Sequence, residues 1–122
     1  MSIYEIHSLI SESKAISAAN PQKSYTLAEK ALKKSKELKD RKLEADSLLQ
    51  MTYACRVMSD YAKCFTLVYE ALDIYESLGN KFGILKAKNL IGIIYFYFGS
   101  YSEALDNFIV ASELIESYPD PK

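Results

Sequence analysis

The chain has no tryptophan, one histidine, two cysteines, three prolines and four glycines in 122 residues. Each scarcity excludes something. His7 stands alone, so a Ser-His-Asp or Cys-His arrangement lacks a second acid–base group of comparable pKa. His7 with two cysteines matches no zinc-ligand spacing. Four isolated glycines cannot form a loop that cradles phosphate. Cys55 and Cys64 are too few for a disulfide framework, and Met1 leads at once into an amphipathic pattern rather than a secretory leader. The apolar stretch Leu90 to Phe98 falls far short of the roughly 20 residues needed to span a bilayer, and Gly99 stops it. A formal net charge of −1 offers no global pull on a nucleic-acid backbone. The expectation is a non-enzymatic cytoplasmic protein without metal or other cofactor, with neither nucleic acid nor membrane as partner.

What is present is ordinary in bulk and uneven in detail. Hydrophobic residues make up 49% and charged residues 25%, the balance of one globular domain. Ten tyrosines and five phenylalanines suit half-buried seams and binding surfaces. Charge is segregated. Lys30, Lys33, Lys34, Lys36, Lys39, Arg41 and Lys42 outweigh Glu37 and Asp40, whereas Glu103, Asp106, Glu113, Glu116 and Asp120 oppose only Lys122. Two readings stay open: a pair of solvated helix faces, or a dipolar rod that associates end to end.

A register of forty organises the chain. Ala31, Ala71 and Ala111 recur at that spacing, and Asn20, Asp60 and Ser100 stand eleven residues before them. All three are helix N-cap residues, whose side-chain oxygen accepts from an otherwise orphan N–H. Pro21, Tyr61 and Tyr101 follow, and Pro is well suited to a first helical position. Lys39-Asp40, Gly79-Asn80 and Pro119-Asp120 close the three units. Between caps and breakers the apolar residues run at helical spacing, as in Tyr61, Cys64, Val68, Ala71, Tyr75 and Leu78. In the first helix the corresponding set is Ile3, Ile6, Leu9, Ile10 and Ile16. Six helices are predicted, pairing 3–18 with 21–38, 41–58 with 61–78 and 81–98 with 100–118. The short connections make neighbours antiparallel and stack the pairs into an all-α superhelix. One domain covers 1–118 (repeats about 1–40, 41–80 and 81–118), and 119–122 is a tail or linker.

Leu90-Ile91-Gly92, Tyr95, Gly99, Tyr101, Ala104, Phe108 and Ala111 carry the spacing of small and aromatic positions by which the chain resembles the tetratricopeptide repeat family. The resemblance implies a right-handed α-solenoid of three antiparallel helix pairs and a role in binding proteins or peptides. Departures cluster in the first unit. Where the third unit has Gly92, the second has Thr52 and the first has Glu12, a charge that is costly to bury. Either the first helix is shifted by a residue or it splays. Cys64 and Ser24 stand where the third unit has Ala104. Cys55 and Cys64 read as small buried hydrophobes, with a redox pair as the other reading. The unit length and the string ALDIYESLGNKFGI are similar to repeats placed ahead of bacterial diguanylate cyclases and histidine kinases, and to those of peptide-pheromone receptors.

The resemblance also assigns a concave groove to the first helix of each pair. It implies Asp46, Leu49, Gln50, Tyr53, Arg56 and Val57 in the second unit, and Lys86, Asn89, Leu90, Ile93, Phe96 and Tyr97 in the third. Leu90, Ile93 and Phe96 fit the core equally well. At the places of the family's clamp for chaperone carboxylates stand Ser13, Gln50 and Leu90, with Lys86 alone fitting, so no chaperone-tail binding is expected. A second surface is implied by Leu105, Ile109, Val110 and Leu114 of the last helix. Three of these stand where the earlier units are more polar, whereas terminal repeats normally turn a polar face outward. A second copy, a downstream domain or another partner would cover it. Two functions follow: an interaction module, read as the regulatory N-terminal region of a bacterial signalling protein, or an oligomerisation unit that self-associates through the last helix.

Overall fold

The computed structural model describes residues 3–117, which form six α-helices: α1 (Ile3–Ile16), α2 (Pro21–Leu38), α3 (Arg41–Val57), α4 (Tyr61–Leu78), α5 (Lys81–Phe98) and α6 (Tyr101–Ser117). The predicted ends at 18 and 58 retreat to Ile16 and Val57, and Ser100 precedes α6 rather than opening it. The closing Pro119-Asp120 and the tail 119–122 lie outside the described residues. Asn20 Oδ1 accepts from Lys23 N at 3.1 Å, and Asp60 Oδ1 accepts from Lys63 N at 3.3 Å, as the caps predict. Asp40 and Asn80 do more than end a unit. Their side chains cap the next helix, accepting from Leu43 N at 3.0 Å and Gly83 N at 2.8 Å. A two-residue link thus stops one helix and starts another. Its first residue is left-handed in both copies: Gly79 at φ 64° and Lys39 at φ 58°.

Each helix packs on the next in sequence. In addition the backbone of α3 comes close to those of α1 and α5, whereas the backbones of α2, α4 and α6 stay farther apart and α2 meets α4 through side chains, Lys63 over the Tyr25 ring. The first helices therefore line the inner side of an α-solenoid and the second helices its outer side. Ala45, Leu48, Met51, Val68, Ala71, Leu72, Ala87, Leu90 and Ile91 form one core that runs through the second and third pairs. A smaller cluster of Ile6, Ala31 and Leu43 joins the first pair to α3.

The ambiguity at Glu12 resolves into a shift. Glu12 is exposed, and buried Ser13 takes the place of Thr52 and Gly92. Ser13 Oγ donates to the carbonyl of Ser24 at 2.7 Å, and Ser24 Oγ donates to the carbonyl of Ser13 at 2.7 Å. Thr52 and Cys64 face each other in the same way twelve residues apart, with Cys64 Sγ 3.6 Å from the carbonyl of Thr52. The first pair spans eleven residues between these positions, so α1 slides by one and keeps its charge in water. Close approach is tightest at Gly83, where an added Cβ would lie 2.1 Å from the ring of buried Tyr75.

Candidate partner-binding groove

On the inner side, α1, α3 and α5 enclose a hollow of about 520 Å³ lined by His7, Ile10, Lys14, Ser17, Asp46, Leu49, Gln50, Tyr53 and Lys86. Further along, Arg56, Ile93, Phe96, Tyr97 and Phe108 line a second hollow of about 420 Å³. Of the twelve groove residues implied by sequence, Asp46, Leu49, Gln50, Tyr53 and Lys86 fall in the first hollow. Arg56, Ile93, Phe96 and Tyr97 fall in the second. Val57 and Asn89 are exposed and line neither, and Leu90 is wholly buried in the core. Sequence reasoning missed His7, Ile10, Lys14 and Ser17. Their spacing places His7, Ile10 and Lys14 on one face of α1 with Ser17 just past its end, and the one-residue shift turns that face into the groove. Lys14, not Ser13, is the groove residue beside Gln50.

The polar groups of the first hollow divide into satisfied and unsatisfied. The Tyr75 hydroxyl donates to the Asp46 carboxylate, which also accepts from Lys42 Nζ at 2.9 Å. Asp46 is thereby held as a strut between α3 and α4. Burial and the hydrogen bond to Asp46 push the Tyr75 hydroxyl pKa well above its ordinary value. Gln50 is different. It is only 8% exposed, and its Oε1 has no hydrogen-bond partner. A buried acceptor without a partner is uncommon and costs stability. Lys86 stands across the hollow, its ammonium 5.0 Å from the centre of the Phe82 ring and 6.0 Å from that of Tyr75. Burial lowers the Lys86 pKa, Asp46 opposes that effect, and Lys42 and Lys14 add to it. The hollow thus presents an unpaired acceptor between two ammonium groups.

Aromatic groups dominate the second hollow. The guanidinium of Arg56 lies 5.2 Å from the Tyr97 ring centre, and Phe96 meets Tyr97 edge-on with centres 5.7 Å apart. Arg56 Nε is buried without a hydrogen-bond partner, a second unmet polar atom along the same side. Burial raises the pKa of the Tyr53 hydroxyl between the hollows, with Arg56 acting against it. Elsewhere, Cys55 and Cys64 are free and buried. Hydrogen bonding to Cys55, together with burial, holds the Cys64 thiol far above its usual range. Among the described residues no three His, Cys, Asp or Glu side chains group as metal ligands, and no helix is long and apolar enough to cross a membrane.

Comparison with known structures bears on this geometry. The crystal structure of the tetratricopeptide domain of Arabidopsis FLU superposes with a TM-score of 0.84 over 94% of this chain and 98% of that one, at 21% identity. The fold is that of a tetratricopeptide repeat domain. Comparisons of the sequence with protein-family models and with curated proteins find no match. The likeness therefore lies in architecture: three tetratricopeptide-type pairs, with the inner helices carrying the groove. The groove's own chemistry, Gln50 between Lys14 and Lys86 and the aromatic run beyond, is read from this chain.

Proposed function

We propose that the chain is a protein-interaction module that holds a peptide or protein segment along its inner groove. The observation that carries this reading is the unpaired Oε1 of Gln50, buried in a hollow flanked by Lys14 and Lys86. A bound segment supplies the missing donor through a backbone N–H and sets a carboxylate against the ammonium groups. Its apolar side chains lie against Phe96, Tyr97 and Ile93, since aromatic and Arg side chains are the usual anchors of such surfaces. Placement in the regulatory part of a bacterial signalling protein is a finer reading, supported by the similarity of the forty-residue unit to repeats in that setting. The cytoplasm suits the two free thiols.

A second reading, self-association through α6, is favoured by the exposure of Leu105, Ile109 and Val110. The two separate cleanly. Peptides selected from a displayed random library should bind the folded chain and be lost by the triple variant Tyr53→Ala, Arg56→Ala, Tyr97→Ala with its helical content unchanged. Failure to select any peptide, or binding indifferent to those substitutions, refutes the groove reading. Sedimentation at increasing concentration reports on self-association in the same preparations.

A further inference from the structure

The outer helices repeat one packing surface, and α6 carries it uncovered among the described residues. On α4 that surface receives α5. The Phe65 ring meets Tyr95 and Phe98 with centres 4.7 and 6.0 Å apart, Tyr61 meets Phe98 at 6.0 Å, and Tyr75 lies against Gly83. Forty residues on, Tyr61, Phe65, Val68, Leu72 and Tyr75 become Tyr101, Leu105, Phe108, Ser112 and Ile115. The stripe keeps its helical spacing and lacks any charge. Tyr75 is 1% exposed, whereas Ile115 is 61% exposed and Leu105 58%. Val110 and Leu114, expected on this face, correspond instead to Glu70 and Ile74, which line a hollow with Leu32 and Leu48 of the preceding helices. Leu105 belongs to the stripe, and Ile109 flanks it.

Charge selects the occupant. Glu103, Asp106, Glu113 and Glu116 lie on α6, which has no Lys or Arg. The fold contains its own precedent. Asp73 and Glu76 of α4 hold the places of Glu113 and Glu116, and α5, which covers α4, carries Lys81, Lys86 and Lys88 and no carboxylate. On α2 those places are Lys33 and Lys36, and the covering helix α3 buries Glu44, paired with its own Arg41, in the hollow that Lys36 lines. A second copy of the chain fits poorly. Apposed α6 helices would bring Glu116 and Glu113 of each copy to the edges of one interface with no Lys or Arg on either helix. The outer face of α1, thirty-nine residues before that of α3, has exposed Tyr4 at one end and otherwise Ser8, Ser11, Glu12 and Ala15, which are polar or small. We propose that the Tyr101–Leu105–Ile115 face of α6 docks an amphipathic helix of another protein, apolar along one stripe, rich in Lys or Arg beside it and without Asp or Glu. The helix takes the position on α6 that α5 takes on α4.

The test uses two labelled, end-capped 18-residue helical peptides with Leu and Ala along one stripe. One has Lys at the remaining positions and the other has Glu. Fluorescence anisotropy at about 0.1 M salt should show the Lys peptide binding at least about tenfold more tightly than the Glu peptide, an advantage that falls as salt is raised. The double variant Leu105→Ser, Ile115→Ser should weaken the Lys peptide about tenfold or more through lost apolar burial. Both positions are exposed, so unchanged circular dichroism is expected. Gln50→Leu in the groove should leave this binding as it is. Equal affinity for the two peptides, or indifference to the double variant, overturns the proposal. So does a dimer in sedimentation that the double variant converts to monomer, which assigns the face to a second copy.

Discussion

Gln50→Leu should make the protein more stable and a worse binder at once. Leu nearly matches Gln in volume, so the site neither collapses nor overpacks. The amide oxygen it removes is buried and has no partner. An unsatisfied buried acceptor costs about 1–3 kcal/mol, and its removal returns most of that. A net gain of about 1 kcal/mol corresponds to roughly 4 °C in melting temperature for a domain of this size. Binding moves the other way. A segment whose N–H was to meet Gln50 now buries that donor against a methyl group, at a similar cost of about 1–3 kcal/mol, so affinity falls about 5- to 150-fold. Thermal and urea unfolding by circular dichroism give the first number, and titration with a library-selected peptide gives the second. A loss of stability greater than about 1 kcal/mol would show that the amide is a structural partner within the fold. A gain in stability with unchanged affinity would move the binding site off Gln50. Opposite signs from one side chain mark a group kept for a ligand at the expense of the fold.

Three further outcomes test the packing that shapes the groove. Ser13→Leu should destabilise by about 1–3 kcal/mol by forcing bulk between α1 and α2, while Glu12→Leu stays within about 0.5 kcal/mol; chemical unfolding that ranks them the other way refutes the shifted register. Gly83→Ala should cost about 1–3 kcal/mol, because Tyr75 is buried and tied to Asp46 and cannot give way. Gly92→Ala should cost less, since the ring it meets belongs to half-buried Phe108 and mid-helix Ala is favoured over Gly by about 1 kcal/mol; equal melting temperatures refute that ranking. Above about pH 10 stability should decline, because Tyr75 and Tyr53 have raised pKa values when folded and Tyr69 is pushed up to about 12. A tyrosine raised on folding contributes fully below its unfolded pKa and loses that contribution as pH rises, by at most about 1.4 kcal/mol per pH unit for one group. Tyr75→Phe should therefore lose less stability between pH 8 and pH 11 than the unsubstituted chain, as read by urea midpoints; an equal loss refutes it.

The forty-residue register could be read before any coordinates because each cue had a local cause. Asn20 and Asp60 cap with their own side chains, Gly79 and Gly99 turn left-handed where helices end, and the apolar spacing needs only the helical period. Asp40 and Asn80 were legible as breakers but not as caps, since one residue serves both helices of a two-residue link. Lys39 and Ser59 hold left-handed backbone without glycine, at φ 58° and φ 62°, so composition gives no sign of those turns. The first pair hid its register for a related reason. Its helices meet across eleven residues instead of twelve, and only the reciprocal Ser13–Ser24 hydrogen bonds reveal which residue faces inward.

That single-residue slip explains most of what the sequence left unseen in the groove. One residue is about 100° of helix, enough to exchange a groove face for an outer one. With Glu12 aligned on Thr52, Ser13 stands beside Gln50 and Lys86 is the one fitting cation. With Ser13 aligned on Thr52, Lys14 enters, and His7, Ile10 and Ser17 follow on the same face. The expectation of no chaperone-tail binding rested on the missing charge, and the shift adds one cation, Lys14, at the first helix. At α6 the sequence cue was of another kind. Ile109, Val110 and Leu114 stand out because earlier units are more polar there, but the stacking face is defined by what earlier units bury. Tyr75 and Phe65 identify it, and their successors Ile115 and Leu105 keep it apolar on α6. In a repeat protein, then, a terminal face is better read from what its interior counterparts pack against than from where its composition departs from theirs.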